Sequence, residues 1–206
     1  MQIVVKKTKK ISRLRRFNNY LSVAIIIFAL YLIIWPFVPQ LDFWWKSVRH
    51  TDPPLVTAII SKTKDAEIPQ ANTLVIPSLH LQETIYGGYP YTALSKGVWH
   101  STNSSTPDKG SNTVIAGHRF TYHGFQRGTA TFYNLDKLKT GDQIVVYWQK
   151  LRYNYRVSRS FVVQPTDLSI ETSTPKPQLT LYTCTPLWTS TNRLIVTAEL
   201  VSKGSI

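Results

Sequence analysis

The chain has one cysteine, Cys184, and its position suggests chemistry. It ends an alternating apolar run over residues 179–183 and directly precedes Thr185 and Pro186. Alternation of this kind predicts a β-strand, so the thiol is expected at a strand end, where a nucleophile is held rigidly and remains accessible. A lone cysteine is more often a small buried hydrophobe. A thiol attacks as thiolate, which requires a proton acceptor or a positive neighbour.

Two residues elsewhere in the chain can meet that requirement. His118 ends a second apolar run, residues 114–117, so it is also expected to project from a strand end. Arg193 opens the last apolar run, nine positions after Cys184. That spacing is typical of a hairpin and predicts that strand pairing brings Arg193 beside Cys184. His123 is the rival histidine, and it lacks the strand context of His118.

The elements that must position these residues are short strands. Six runs rich in Val, Ile, Thr and Tyr are separated by turn chemistry; they cover residues 72–81, 111–118, 142–149, 154–163, 177–184 and 193–200. Their composition suits a pleated, half-buried surface, and the repeated spacing favours a closed or nearly closed β-barrel. Residues 164–178 form a long polar connection between two of these strands. Connections of that length in a compact domain are commonly functional.

The N-terminal part of the chain has a different character. Seven of the first sixteen residues are Lys or Arg, and none of the sixteen is acidic. Tyr20 to Val38 then contains no charged residue, and a helix of that length spans about 28 Å, close to the hydrocarbon thickness of a bilayer. The basic flank predicts a cytoplasmic N-terminus and an extracellular remainder. A cleaved signal peptide is disfavoured because Trp35, Pro36 and Phe37 replace a small-residue cleavage site.

The same charge distribution removes other functions from consideration. The 206 residues carry a net charge of +13, but residues 17–206 hold 17 basic and 11 acidic groups, a net of +6 that is scattered along the chain. Nucleic-acid binding is therefore not expected. One cysteine excludes an intramolecular disulfide, and no histidine pair has zinc-ligand spacing with Cys184 beyond the loose pair His118 and His123.

The sequence is similar to the sortases in order, residue type and local context. The segment TLYTC, ending at Cys184, matches their TLxTC signature; Ala116-Gly117-His118 matches the strand of their catalytic histidine; and NRLIV, starting at Asn192, matches their arginine strand. Residues 94–100, 132–146 and 155–168 resemble further sortase segments. The similarity covers roughly residues 68–201.

This resemblance implies an eight-stranded sortase β-barrel with short helices, mainly β, after one N-terminal transmembrane helix. It implies that Cys184 attacks the Thr–Gly carbonyl of an LPxTG-like sorting signal, that His118 is the general acid and base, and that Arg193 stabilises the oxyanion. The acceptor would be an amine of a peptidoglycan precursor or a pilin. By the same resemblance, the substrate-binding candidates are Thr183, Ala116, Thr166, Asp167 and Leu168.

The resemblance also bears on cofactors. Some sortases bind calcium beside the connection over residues 164–178, whose only acids are Asp167 and Glu171. Calcium ordinarily takes six to eight oxygen ligands, including several carboxylates. We therefore expect no cofactor and no metal site.

The predicted organisation is a cytoplasmic basic segment over 1–19, a transmembrane anchor over 20–38, a juxtamembrane stalk or N-terminal helix over 39–67 and the catalytic domain over 68–206. The expected location is a bacterial cell membrane, in a single pass. Two alternatives stay open. One is a catalytically silent, membrane-tethered barrel that scaffolds envelope proteins; the other is a Cys-His peptidase that transfers the acyl group to water.

Overall fold

The structure, a computed structural model, describes residues 9–49, 52–61, 68–121 and 130–204. The chain divides into two compact units, Met1–Val38 and Pro39–Ile206. The first unit contains helix α1, Lys9–Ile34, and the 3-10 turn Trp35–Phe37. In the described chain, the helical stretch Arg13–Arg49 is the one long and apolar enough to cross a membrane, with a mean hydropathy of 2.6 in its most apolar window.

Three further helices and eight strands make up the rest of the regular structure in the described residues. The helices are α2 (Val38–Arg49), α3 (Pro54–Ile60) and α4 (Pro90–Leu94). The strands are β1 (Thr73–Ile76), β2 (Leu81–Tyr86), β3 (Val98–His100), β4 (Asn112–Ala116), β5 (Gln143–Trp148), β6 (Leu151–Val163), β7 (Gln178–Thr185) and β8 (Asn192–Gly204). Short 3-10 turns lie at Pro77–Leu79, Leu135–Lys137 and Leu168–Glu171.

The strands form a closed barrel in the order β1-β2-β3-β4-β7-β8-β6-β5, with β5 pairing back to β1. The pairs β2–β3 and β4–β7 are parallel, and the other pairs are antiparallel. Closure leaves no free sheet edge, which stabilises a fold built from such short strands. The parallel β4–β7 pair brings together two strand ends that are far apart in the sequence.

Alternation along the strands decides what fills the barrel. In β7, Leu179 and Leu181 are fully buried and belong to the main core. That core also includes Ile115 of β4 and Val196 of β8. Because successive side chains of a strand point to opposite faces, the residues between these positions point out of the barrel.

Helix α3 covers part of the outer barrel surface. Its Leu55 and Val56 pack with Val75, Val145 and Tyr147 in a second buried cluster. The helix is preceded by Asp52, whose carboxylate pairs with the ring of His80. The other ring nitrogen of His80 lies 3.1 Å from Ser47 Oγ of α2. Ser47 and Asp52 are therefore fastened to the barrel by polar contacts, and α3 by apolar packing.

The predicted fold class is confirmed, since the chain is mainly β with an eight-stranded closed barrel and short helices. The long connection lies between β6 and β7, as its polar composition indicated. The six apolar runs did not resolve β2 and β3 as separate strands, because the first run contains both β1 and the start of β2, and β3 has only three residues.

Candidate active site

The nucleophile candidate lies next to the candidate arginine. In the antiparallel pair of β7 and β8, Cys184 is directly opposite Arg193. Side chains of directly opposed residues share one face of a sheet, and their Cβ atoms are separated by about 4.5–5.5 Å. Cys184 and Arg193 are both partly exposed. The hairpin spacing in the sequence thus predicted this juxtaposition correctly.

The candidate histidine approaches from the other side of β7. Ala116 and Tyr182 are the last registered pair of the parallel strands β4 and β7. His118 and Cys184 each lie two residues further along. The contact between the two strands continues past this pair, because the amide of Gly117 donates to the carbonyl of Tyr182 at 3.2 Å. Three strand ends therefore meet at one rim of the barrel, each with one candidate residue.

Alternation places the Cys184 side chain on the outer face. Ala116 and Tyr182 belong to a cluster with Trp99 and Ala93 of α4, outside the main core. Cys184 has the same parity as Tyr182 within β7, so its side chain is assigned to this face, and His118 follows two residues after Ala116, past the end of β4. The cluster forms an apolar floor leading to the three candidate residues.

Gly117, next to the candidate histidine, is packed too tightly for a side chain to fit without a shift of its neighbours. A Cβ atom added at Gly117 would lie 2.6 Å from Cδ2 and 2.8 Å from Cγ of Phe132. Phe132 is fully buried, and its amide donates to the carbonyl of His118 at 2.9 Å. The phenyl ring therefore packs on the glycine backbone, while the Phe132 backbone holds that of His118.

The guanidinium of Arg193 is engaged with its own loop. Its Nη1 donates to the carbonyl of Ser190 at 3.3 Å and to that of Asn192 at 3.1 Å. A guanidinium carries five N–H donors in a fixed plane, so these two contacts orient the group and use one of its terminal nitrogens.

The pKa of Tyr182 is shifted by burial and by the charged groups around the site. Burial raises the pKa of its phenol; the carboxylate of Glu171 and the thiol group of Cys184 raise it further, and the positive charge of Arg193 lowers it. Glu171 accepts a hydrogen bond from Ser101 Oγ at 3.0 Å, which fixes its side chain beside the apolar floor.

The Asn112 side chain helps to hold the connection between β6 and β7 over this face. Asn112, which is 2% exposed, donates through Nδ2 to the carbonyls of Ile170 at 2.8 Å and Thr172 at 3.1 Å. Its Oδ1 accepts from Thr180 Oγ1 at 2.7 Å. The first residue of β4 thus holds the loop that precedes β7.

The five predicted substrate-binding residues occupy three environments. Thr166, Asp167 and Leu168 lie on the β6–β7 connection, where the Leu168 side chain is 72% exposed. Asp167 caps the turn Leu168–Glu171, and hydrogen bonds from Ser169 lower the pKa of its carboxyl group. Ala116 is 4% exposed and contributes to the apolar floor.

Thr183, the fifth, points inward. It is 1% exposed, and its hydroxyl donates to the carbonyl of Gly117 at 2.8 Å. This hydrogen bond holds the end of β4 against β7. A contact between Thr183 and a substrate stays a prediction, and it would have to involve the Thr183 backbone.

Sequence reasoning did not assign a role to three residues that lie at the rim, namely Arg119, Asp136 and Thr185. Arg119 contacts Thr185 Oγ1 and the carboxylate of Asp136. Arg119 had a signal, since it directly follows His118, whereas Asp136 had none because it is distant in sequence and looks like a surface acid. The rival histidine, His123, lies outside the described residues. Among the residues that are described, no group of three His, Cys, Asp or Glu side chains is arranged to hold a metal ion.

Comparison with known proteins agrees with this geometry. The family model of the sortase domain matches residues 74–201. Sortase D of Bacillus subtilis is 31% identical over 114 residues, which cover 55% of this chain and 53% of that protein. Sortase SrtE1 of Streptomyces coelicolor is 34% identical over 110 residues, covering 48% of this chain and 30% of that protein. The chain thus spans about half or less of the length of these relatives.

Comparison with solved structures also finds sortases. Sortase C-3 from Streptococcus pneumoniae superposes with a TM-score of 0.59 at 30% identity, covering 69% of this chain and 67% of that one. Sortase A from Corynebacterium diphtheriae gives a TM-score of 0.58 at 31% identity, covering 67% of this chain and 63% of that one. The family model covers more than half of the chain, and its span contains His118, Cys184 and Arg193. The chain therefore belongs to the sortase family.

Proposed function

We propose that this protein is a cysteine transpeptidase that cleaves an LPxTG-like sorting signal between Thr and Gly and transfers the acyl group to an amine. The observation that carries the proposal is the register of β7 and β8, which sets Cys184 opposite Arg193. The parallel pairing of β4 and β7 adds His118 from the other side. A nucleophile, a group that titrates near neutrality and a fixed cation are the parts that acyl transfer requires.

In the first half-reaction, the Cys184 thiolate attacks the threonine carbonyl carbon. The electron pair of the carbonyl moves to oxygen, and the Arg193 guanidinium stabilises the resulting oxyanion. Collapse of this intermediate breaks the C–N bond, and the His118 imidazolium gives its proton to the departing glycine amine. The products are a thioester on Cys184 and the free glycine-containing peptide.

In the second half-reaction, an incoming amine attacks the thioester carbonyl. His118 now accepts the proton of that amine, a new amide bond forms, and Cys184 leaves as thiolate. We propose an amine of a peptidoglycan precursor or of a pilin as the acceptor. No cofactor takes part in either half-reaction.

We further propose that α1 anchors the protein in a bacterial cell membrane with the N-terminus in the cytoplasm and the barrel outside. The apolar stretch of α1 and the seven basic residues before Phe17 support this orientation. An extracellular barrel would face both surface-protein substrates and cell-wall amines. The orientation can be tested with single cysteines placed near each end of the chain in a Cys184→Ala background. A membrane-impermeant thiol reagent should label the C-terminal cysteine in intact cells and the N-terminal one only after the cells are made permeable.

The test of the activity is incubation of the full chain, in detergent micelles, with an LPxTG peptide and a glycine or lysine amine, followed by mass spectrometry. We expect an acyl adduct on Cys184 and an amine-exchanged peptide, both lost in Cys184→Ala. Cleavage without amine exchange would instead support a hydrolytic peptidase. If a panel of sorting-signal variants gives neither adduct nor cleavage, the silent scaffold replaces the transpeptidase.

A further inference from the structure

The side chain of Arg119 joins two of the three strand ends that form the candidate site. It directly follows His118 in the chain, and its Nη1 donates to Thr185 Oγ1 at 3.3 Å. Thr185 directly follows Cys184. A single guanidinium thus links the residue after the candidate base to the residue after the candidate nucleophile, although 66 residues separate them in the sequence.

A fixed support holds this guanidinium in place. Its Nη2 lies 2.8 Å from Oδ2 of Asp136, in the 3-10 turn Leu135–Lys137. That turn cannot shift easily, because Leu135 is fully buried in the barrel core. The Arg119 side chain is 11% exposed and that of Asp136 is 48% exposed, so the pair is shielded mainly on the arginine side.

The rim needs such a link because the β4–β7 ladder ends before it reaches the candidate residues. Ala116 and Tyr182 form the last registered pair, and the hydrogen bonds of Gly117 extend the contact by one residue. Beyond that point, the separation of His118 and Cys184 depends on the Phe132 amide, which holds the His118 carbonyl, and on side-chain contacts. Arginine suits the task because its planar fork can serve two partners in different directions, which a lysine ammonium does less rigidly.

We propose that Arg119 is a positioning residue that sets the separation between His118 and Cys184 through its contacts with Thr185 and Asp136. It does not touch the substrate. This inference rests on the proposed function for its kinetic readout. It also has a readout that requires no peptide substrate, namely the rate at which the Cys184 thiol is alkylated by iodoacetamide at neutral pH.

The experiment compares the full chain with Arg119→Met, Arg119→Lys and Asp136→Asn. Misplacing a catalytic group by 1 Å can lower a rate by 10²-fold, so we expect Arg119→Met to lower kcat for peptide thioacylation by about tenfold to a hundredfold, with KM changed by less than about threefold. Arg119→Lys keeps the charge near Asp136 and is expected to recover part of kcat. Asp136→Asn should lower kcat in the same direction but less.

Lys137 supplies the matched control within the same turn. Its ammonium lies over the Phe43 ring, 4.0 Å from the centroid, and donates to Gln40 Oε1 at 3.1 Å, so it contacts α2 rather than the rim. Lys137→Ala is expected to leave kcat and the alkylation rate unchanged. Equal losses in Lys137→Ala and Arg119→Met would reveal a general effect of disturbing the turn and would overturn the inference.

The outcomes separate this inference from the proposed function. If the wild-type chain forms the thioacyl adduct and folded Arg119→Met has a kcat within about twofold of wild type, the positioning role is wrong while the transpeptidase stands. If the wild-type chain accepts no peptide, the proposed function fails, and the alkylation rate decides the role of Arg119. A rate at least about fivefold lower in Arg119→Met than in both wild type and Lys137→Ala supports positioning, because His118 then no longer activates the thiol, and a smaller difference overturns it.

Discussion

Replacing Gly117 with alanine should destabilise the barrel and disturb the candidate base at once. The new Cβ atom would lie 2.6 Å from Cδ2 of Phe132, whereas carbon atoms in contact are normally about 3.5–4.0 Å apart. The ring or the strand end must therefore move by about 1 Å. Phe132 is fully buried, so the ring cannot swing into solvent to relieve the contact.

The magnitude follows from two opposing effects. Overpacking a filled core typically costs about 1–3 kcal/mol. Replacing glycine with alanine also restricts the unfolded chain, which stabilises the folded state by about 0.4–1 kcal/mol. The overpacking effect is larger, so we expect Gly117→Ala to lower the free energy of unfolding by about 1–2 kcal/mol. The amide of Phe132 holds the carbonyl of His118, so thioacylation should also slow in the protein that remains folded.

Urea unfolding followed by tryptophan fluorescence measures the first effect, and Gly87→Ala is the matched control. A Cβ atom at Gly87 has no heavy atom within 4 Å, so that variant should unfold at the wild-type midpoint or slightly above it. Phe132→Ala removes both of the clashing atoms, Cδ2 and Cγ, so the loss in Gly117→Ala/Phe132→Ala should be smaller than the sum of the single losses by about 1 kcal/mol. Additive losses, or a Gly117→Ala midpoint equal to wild type, would refute the packing argument.

Three further predictions concern the loop, the arginine and the interior. Asn112→Ala removes the hydrogen bonds to the carbonyls of Ile170 and Thr172, each worth about 0.5–1.5 kcal/mol, and should raise amide hydrogen exchange over residues 164–178; unchanged exchange would contradict that role. Arg193→Ala should lower kcat by about 10²–10³-fold, and Arg193→Lys should restore only part of it; a change confined to KM would indicate substrate binding instead. Burial raises the pKa of Tyr155, whereas an unfolded tyrosine ionises near pH 10. Above about pH 10 the unfolded state therefore binds fewer protons than the folded state, and the free energy of unfolding should fall as pH rises. Tyr155→Phe should make that fall shallower. An unchanged slope between about pH 9 and about pH 11 would count against a raised pKa of Tyr155.

The barrel and the pairing of Cys184 with Arg193 were predictable because both follow from local patterns. Alternating runs predict strands, and a strand start nine positions after a strand end predicts a hairpin. His118 was harder to place. Its strand pairs with β7 in parallel, and a parallel partner lies far away in the sequence, so only the family resemblance joined it to the other two residues.

The contacts that sequence reasoning did not find depend on tertiary packing. Asp52 pairs with His80 while α3 packs on the barrel, and the two prolines that follow Asp52 predict neither contact. His80 adopts a positive φ of 52° after the turn Pro77–Leu79, and no periodicity predicts which side chain will reach it. The boundaries predicted for the segments before residue 68 stay predictions.

At the rim, the positions of strand ends could be predicted from the sequence and the side-chain contacts between them could not, for a physical reason. Hydrogen-bond ladders fix the strand ends to within a residue, and a ladder can be inferred from patterns. Catalysis depends on separations finer than a residue, and past the last registered pair these are fixed by Phe132 packing on Gly117 and by Arg119 bridging Thr185 and Asp136. Such contacts join residues with no shared periodicity. A sortase-like signature can therefore locate the candidate reacting groups of this chain, while the side chains that set their spacing must be read from the fold.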